Sequence, residues 1–230
     1  MTSQPEFNAR LQEIRQRIAE AVVRSKRQPG EVTLLAVTKT LPVETIRMAY
    51  EAGLRDFGEN RVQESLEKIK NIPLDARWHL IGRLQTNKIN KINHQFVLVH
   101  SVDSIHLAEA ISARMGSENQ DILLEVNTSG ETSKAGVSPE EAVTTAEKVS
   151  QLPGLKLKGL MTVGPLTEDT GRQREAFKKL KGLFDEIRHA SWAGPSFSIL
   201  SMGMSGDFEV AIEEGSTLVR VGTALFGKRH

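Results

Sequence analysis

The sequence predicts a single (β/α)8 barrel with an extra helix at its N-terminus. Three observations lead there. Short runs rich in Val, Ile and Leu alternate with longer amphipathic segments along nearly the whole chain, and such alternation means parallel strands joined by right-handed helical crossovers. Eight of these runs fit into 230 residues, which suits that barrel class. No long Pro-, Gly- or Ser-rich linker interrupts them, so residues 1–230 read as one domain. The alternative is an open doubly wound sheet. It would carry a glycine-rich phosphate loop after the first strand, where "TKTLP" has no glycine.

The elements follow in order. Residues 6–27 place Phe7, Leu11, Ile14, Ile18 and Val22 on one helical face. In "SQPE", Ser3 stands three residues ahead of Glu6, the form of a capping box. Strands are predicted at 33–39, 55–59, 77–81, 96–101, 121–127, 155–161, 197–202 and 217–221. Between them lie helical segments with apolar residues at i, i+3 and i+4, the stretch "LQTNKINKINH" at 84–94 among them. Gly53, Gly116 and Gly215 stand where helices would stop. Only "GTALFGKRH" follows the last strand. It is too short for a full eighth helix, so the N-terminal helix is expected to cover the gap.

Composition excludes several classes of function. Thirty basic residues stand against 29 acidic ones, for a formal charge of +1, which makes no electrostatic case for nucleic acid or an anionic membrane. The absence of cysteine excludes disulfides, thiolate nucleophiles and cysteine-ligated zinc. "MTSQPEFNAR" has no apolar core of a signal peptide, and no apolar stretch approaches the roughly 18 residues of a membrane span. A cytoplasmic monomer is expected. His79, His94, His100, His106 and His189 show no paired ligand spacing, so no metal is expected. Arg83, Lys88, Lys91 and His94 make a basic face without interleaved aromatics, which reads as solvated.

In such a barrel the functional face is the C-terminal end of the strands. There the sequence places Lys39, Glu59 with Asn60, His79, His100 with Ser101, Asn127, Met161, Ser201 and Arg220 in turn. The seventh strand runs into "SMGMSGD", where Gly203 and Gly206 let the backbone curl and Ser205 stands as a helix N-cap. The eighth is followed by Gly222 and the Thr223 hydroxyl. Barrels commonly hold phosphate at these two loops. A lysine amine across the mouth from a phosphate cradle suits a phosphorylated aldehyde, because amines and carbonyls form Schiff bases. Pyridoxal 5'-phosphate (PLP) is the obvious one, with Arg220 facing its pyridine nitrogen. A permanently charged arginine there would leave the ring a weaker electron sink than an acidic partner does. A sugar phosphate held without a Schiff base remains open.

The stretches "LLAVTKT", "FGENRVQE", "WHLIGRLQTNK", "HSVDS", "EVNTSGETSKAG", "GLMTV" and "LSMGMSGDFEVAIEEGSTLVRVGTALFG" span nearly the whole chain in order. In them the sequence closely resembles the pyridoxal phosphate homeostasis protein family, whose members look like the barrel domain of alanine racemase standing alone. The resemblance implies that Lys39 is the Schiff-base lysine and that Asn60, His79 and Met161 line the cofactor's surroundings. It implies a phosphate site of Ser201, Gly203, Met204, Ser205, Gly222 and Thr223, with Arg220 on the pyridine nitrogen. Gly206 stands where many members have an acidic residue, a departure that leaves the loop intact. The implied role is PLP binding in vitamin B6 balance, with apo PLP-dependent enzymes as recipients and no established reaction.

An amino-acid racemase is the enzymatic alternative. Racemisation needs a second acid–base group opposite the lysine, which is a tyrosine in alanine racemase. The one tyrosine here, Tyr50, falls within the first barrel helix, far from the strand ends. Lys134 reads as a solvated loop lysine more readily than as a second PLP contact. Lys156 and Lys158 are expected to point outward, on the parity that sets Leu155, Leu157, Gly159 and Met161 inward.

Overall fold

The computed structural model describes residues 3–92, 95–116, 118–131 and 134–227. Helix α1 (Gln4–Arg24) precedes β1 (Thr33–Val37), α2 (Val43–Glu51), β2 (Asp56–Glu59), α3 (Val62–Ile69), β3 (Arg77–Leu80) and a 3-10 helix (Thr86–Lys91). Then come β4 (Leu98–Val102), α4 (Ile105–Met115), β5 (Gln120–Glu125), α5 (Pro139–Ser150), β6 (Leu155–Met161) and α6 (Thr170–Arg188). The chain finishes with β7 (Ile199–Ser201), α7 (Phe208–Glu213), β8 (Leu218–Val221) and the single turn α8 (Thr223–Phe226). The strands pair in sequence order into a closed barrel, and every pairing, including β1 with β8, is parallel.

Helix α1 begins where the capping box predicts. The Ser3 N–H donates to Glu6 Oε2 at 3.0 Å, and Ser3 Oγ accepts from the Glu6 N–H at 3.5 Å. It packs where a full eighth helix would lie. Phe7 stacks on Phe226 with ring centroids 5.5 Å apart. Arg17 grips both carboxylate oxygens of Glu209 on α7, and Arg24 bonds Glu213 at 2.8 Å.

Three elements differ from expectation. Within the segment expected as a helix at 84–94, Thr86–Lys91 form a short 3-10 helix. Its buried Ile89 and Ile92 lie three residues apart, a spacing that three residues per turn puts on one line. Ser205 is not the cap of α7, which starts at Phe208 after Asp207. The parity expected along β6 also breaks. Lys158 is left unpaired where the register between β5 and β6 shifts, and such a bulge switches the face on which later residues fall. Leu155 and Leu157 therefore join the large cluster under the helices, while Met161 joins Leu98, Leu123, Val163 and Ile199 in a small inner cluster. Lys158 meets Asp121 at 3.6 Å, in the first half of the strand and away from the C-terminal mouth.

That inner cluster fills only part of the barrel. The rest of the interior is polar: Asp56, His79, His100, Ser201 and Arg220 are all buried. Buried polar groups persist only when hydrogen-bonded, and these are bonded to one another.

Candidate functional site

Lys39 sits two residues beyond the end of β1, in a turn, so the strand is shorter than the predicted 33–39. It is half-buried and has no hydrogen-bond or ion-pair partner among the described residues. The next residue, Thr40, has φ of 63°, which is strained for a β-branched side chain and persists only where surrounding structure over-determines it. Here the over-determination is visible. The Thr40 N–H donates to Glu64 Oε1 at 2.7 Å, and Lys68 Nζ donates to that same oxygen at 2.6 Å. Lys68 Nζ also reaches the Thr38 carbonyl at 3.0 Å and both Glu59 oxygens at 2.9 and 3.0 Å. The Thr38 hydroxyl adds a bond to Glu59 at 2.5 Å. Burial pushes the Glu59 carboxyl up, against the bond from Thr38 and the charge of Lys68. The backbone on both sides of Lys39 is thus tied to one buried ion pair, and the amine is left free at the mouth.

The inward residues of neighbouring strands form a line of hydrogen bonds. Arg77 bonds Asp56 through Nε at 2.8 Å and a second nitrogen at 2.5 Å. Asp56 Oδ1 is 3.1 Å from His79 Nε2, and His79 Nδ1 is 3.0 Å from His100 Nε2. His100 Nδ1 is 3.1 Å from Ser201 Oγ. Arg220 donates to Ser201 Oγ at 2.6 Å and to the Thr162 carbonyl at 2.8 Å. Burial alone would raise Asp56, but the bonds from His79 and Arg77 outweigh it and hold the carboxyl at about 2. Burial, with the charges of His79 and Arg220, holds His100 well below the usual histidine range. Burial lowers Arg220 to about 10, with Glu125 and Asp207 opposing, so its guanidinium is charged at neutral pH.

The line begins beside a cavity of about 410 Å³ at the N-terminal end of the barrel, lined by Asp56, Arg77, His79, Asp121 and Thr217 among others. It ends at Arg220, which pairs across β1–β8 with Leu35, four residues before Lys39. Lys39, just past the end of β1, and Arg220, on the neighbouring β8, therefore belong to the same mouth. Ser201, expected at a phosphate, has its hydroxyl engaged inside the barrel by His100 and Arg220 instead, because strand alternation turns it inward. His79 and Met161 also lie within the barrel, below the rim.

The loops after β7 and β8 are joined by Ser205. Its Oγ accepts from the Gly222 and Ala224 N–H groups, each at 3.2 Å. This is a different role from the predicted cap, and it marks a point where backbone donors of β8's loop converge on an oxygen. Gly203 has φ of 95°, and a Cβ there would lie 2.6 Å from Ala211 Cβ and 2.9 Å from Phe208 Cα. Only glycine lets this loop approach α7. Met204 N–H donates to Asp207 Oδ1 at 2.5 Å, closing the turn, and Thr223 is exposed beside it.

One strand beyond β1, just past β2, Asn60 presses on Gly82, where a Cβ would fall 2.4 Å from the Asn60 carbonyl oxygen. Asn60 also lines a cleft of about 650 Å³ with Arg61, Gly82, Arg83, Gln85 and Lys88. Lys134 is engaged: it donates to Glu131 and to the Gly164 carbonyl, each at 2.8 Å. Glu125 was missed by sequence reasoning. It is the last residue of β5, buried, and burial raises its carboxyl to about 7 against the charge of Arg220. A lone acidic residue closing the apolar run "ILLE" was the available signal. Tyr50 lies at the end of α2, its hydroxyl on Asp75 at 2.5 Å, beside the start of β3 and away from this mouth. His94, part of the expected basic face, lies outside the described residues. Among the described residues no group of His, Asp and Glu could hold a metal ion, and no helix is long and apolar enough to cross a membrane.

The family model described as alanine racemase, N-terminal domain, matches residues 10–230. A pyridoxal phosphate homeostasis protein of Aquifex aeolicus is 47% identical over 224 residues, covering 96% of this chain and 97% of that protein. This chain belongs to the pyridoxal phosphate homeostasis protein family. A solved relative from Synechococcus elongatus, PipY with PLP bound, superposes with a TM-score of 0.78 at 37% identity, covering 91% of this chain and all of that one. Alanine racemase of Clostridium difficile shares the barrel fold at 17% identity, with a TM-score of 0.72 over 93% of this chain and 56% of the racemase.

Proposed function

We propose that this protein binds PLP at the C-terminal mouth of its barrel and takes part in keeping the vitamin B6 pool in balance, holding the cofactor rather than turning over a substrate. The observation that carries this reading is the pairing of a free, half-buried amine, Lys39, in the turn after β1, with a buried charged arginine, Arg220, on the neighbouring β8 of one mouth. Bound PLP supplies an aldehyde to an amine and a ring that withdraws electrons from it.

The residues present fit that group. Lys39 is the amine that joins the aldehyde as a Schiff base. Gly203, Met204, Ser205, Gly222 and Thr223 hold the phosphate, at the point where backbone donors already converge on the Ser205 oxygen. Arg220 uses two donors on Ser201 and Thr162, and a guanidinium has five, so donors remain for the pyridine nitrogen. Asn60 contributes from the rim. His79 and Met161 lie below, Met161 as apolar floor. The position of Tyr50 supports holding over racemisation. Recipients are the apo forms of PLP-dependent enzymes, and the protein acts as a cytoplasmic monomer.

Purified protein mixed with PLP should develop a visible absorption band, and borohydride should fix a pyridoxyl mass on Lys39. Lys39→Ala should lose both. A protein that takes up no PLP under these conditions refutes the reading. Lys39-dependent loss of optical activity from a single amino acid would replace it with the racemase alternative.

A further inference from the structure

Two buried histidines, a carboxylate at the far mouth and a serine expected at the phosphate are left without a role by PLP holding alone. We propose that Asp56, His79 and His100 are positioning residues for Arg220: the carboxylate at the N-terminal mouth sets the tautomers of both histidines, and through them turns the Ser201 hydroxyl so that its oxygen accepts from Arg220. The consequence for the ring nitrogen rests on the PLP reading above. The tautomer chain itself does not.

With both imidazoles neutral, the geometry leaves one consistent assignment of hydrogens. Asp56 is an acceptor, already gripped by Arg77 through two nitrogens. The His79 nitrogen facing it at 3.1 Å, Nε2, must therefore donate. A neutral imidazole has one donor and one acceptor, so His79 Nδ1 accepts from His100 Nε2 at 3.0 Å. His100 Nδ1 is then an acceptor, and the partner 3.1 Å away is the Ser201 hydroxyl. Ser201 spends its hydrogen on His100 and presents its lone pairs to Arg220 at 2.6 Å. From Arg220 to Asp56, every hydrogen on the line points toward the N-terminal mouth. The opposite assignment would turn an imidazole lone pair on the Asp56 carboxylate. Burial makes such an error costly, since an unpaired or repelled polar group has no water to turn to.

The line also carries a charge signal. If His79 gains a proton, both its nitrogens donate. His100 must then accept at Nε2 and hold its hydrogen at Nδ1, and Ser201 must accept from His100 as well as from Arg220. Its own hydrogen is released toward other acceptors. One proton is added in all; His79 Nδ1 and both His100 nitrogens change role once, while His79 Nε2 donates throughout. The groups that face the line are Arg77 and Asp121 at the N-terminal cavity, with Lys158 on Asp121 and Glu31 at the rim, and Glu125 and Asp207 around Arg220.

Long-range proton–nitrogen NMR on the cofactor-free protein tests the chain. Wild type at pH 8 is expected to hold both His79 and His100 with hydrogen on Nε2. In Asp56→Asn the amide can face His79 with either end, so hydrogen on His100 Nδ1 should become detectable. Asp121→Asn alters the same cavity outside the line and should change neither histidine. With PLP bound, the pH midpoint of the visible band should move by about half a unit or more in Asp56→Asn and in Ser201→Ala, in keeping with loss of charge or hydrogen-bond control near a titrating group, and stay in place in Asp121→Asn. Ser201→Ala should leave His79 unchanged, and it keeps the test alive if Asp56→Asn does not fold. Hydrogen on His100 Nδ1 in wild type overturns the proposal, as does a band that titrates identically in wild type and Ser201→Ala. Absence of any band in wild type would sink the PLP reading while the NMR result still decides the tautomers.

Discussion

Lys68→Met is the substitution that asks most of the buried ion pair under Lys39. Lys68 is 5% exposed and Glu59 is 0% exposed, so neither charge is screened by water. Methionine keeps most of the stem volume but removes the ammonium from Glu59, Glu64 and the Thr38 carbonyl together. A carboxylate stranded in this way costs about 3–5 kcal/mol. For 230 residues, a melting entropy of about 2 cal/mol/K per residue converts this to a fall in Tm of roughly 6–10 °C. The pH dependence carries a sign. Burial already raises the Glu59 carboxyl above its ordinary value, and loss of Lys68 raises it further. The folded state then binds a proton that the unfolded state has released, so stability falls as pH rises from the unfolded pKa through the folded one. The deficit against wild type should thus be larger at pH 8 than at pH 5.5 in urea unfolding. Adding Glu59→Gln should recover part of it, since the stranded charge is gone. A single variant that loses under about 1 kcal/mol at pH 8, with no dependence on pH, would refute the reasoning, because the pair would then be behaving as a solvated one.

Other contacts in the structure carry further expected outcomes. Gly203→Ala forces a side chain into φ of 95° and against Ala211 and Phe208; PLP titration should show affinity weakened about tenfold or more, an effect worth about 1.4 kcal/mol, and unchanged affinity would argue against this loop as the phosphate site. Phe7→Ala empties the contact with Phe226 that seats α1 over the barrel's last turn, and thermal unfolding should report a loss of about 3–5 kcal/mol; a loss below about 1 kcal/mol would mean α1 docks elsewhere. Asp56, held at about 2 against an ordinary 3.8, contributes stability that is present above pH 4 and lost as pH falls through 2, worth about 2 kcal/mol. The stability gap between wild type and Asp56→Asn should accordingly narrow across that window in acid titration, and a constant gap would contradict the assignment.

Much of the fold was legible because strands and helices write their periods locally. Eight apolar runs separated by helical spacing left little but a parallel barrel, and the apolar face of the N-terminal segment marked a helix that packs on it. Errors arose where one residue breaks a period. Parity along β6 fails at Lys158 because a bulge is a property of two strands in register, not of one. Ser205 looks like a cap in a one-dimensional reading, since Ser before a helix usually is one. Its actual partners, the N–H groups of Gly222 and Ala224, are 17 and 19 residues away.

By itself the sequence determined the barrel, the N-terminal helix and the placing of Lys39, Arg220 and two glycine-hydroxyl loops at strand ends. These depend on short-range spacing and on the rule that parallel strands of a barrel end on one face. Only the tertiary structure decided how the amine is held and what the interior polar groups do. Lys68 reaches back across 30 residues to the Thr38 carbonyl, and His100 meets Ser201 across 101. The first follows from the packing of α3 beside the end of β1, the second from barrel closure, which brings the inward faces of β2, β3, β4, β7 and β8 around one interior. Nothing in the local pattern of a strand says which polar side chain will stand opposite its own.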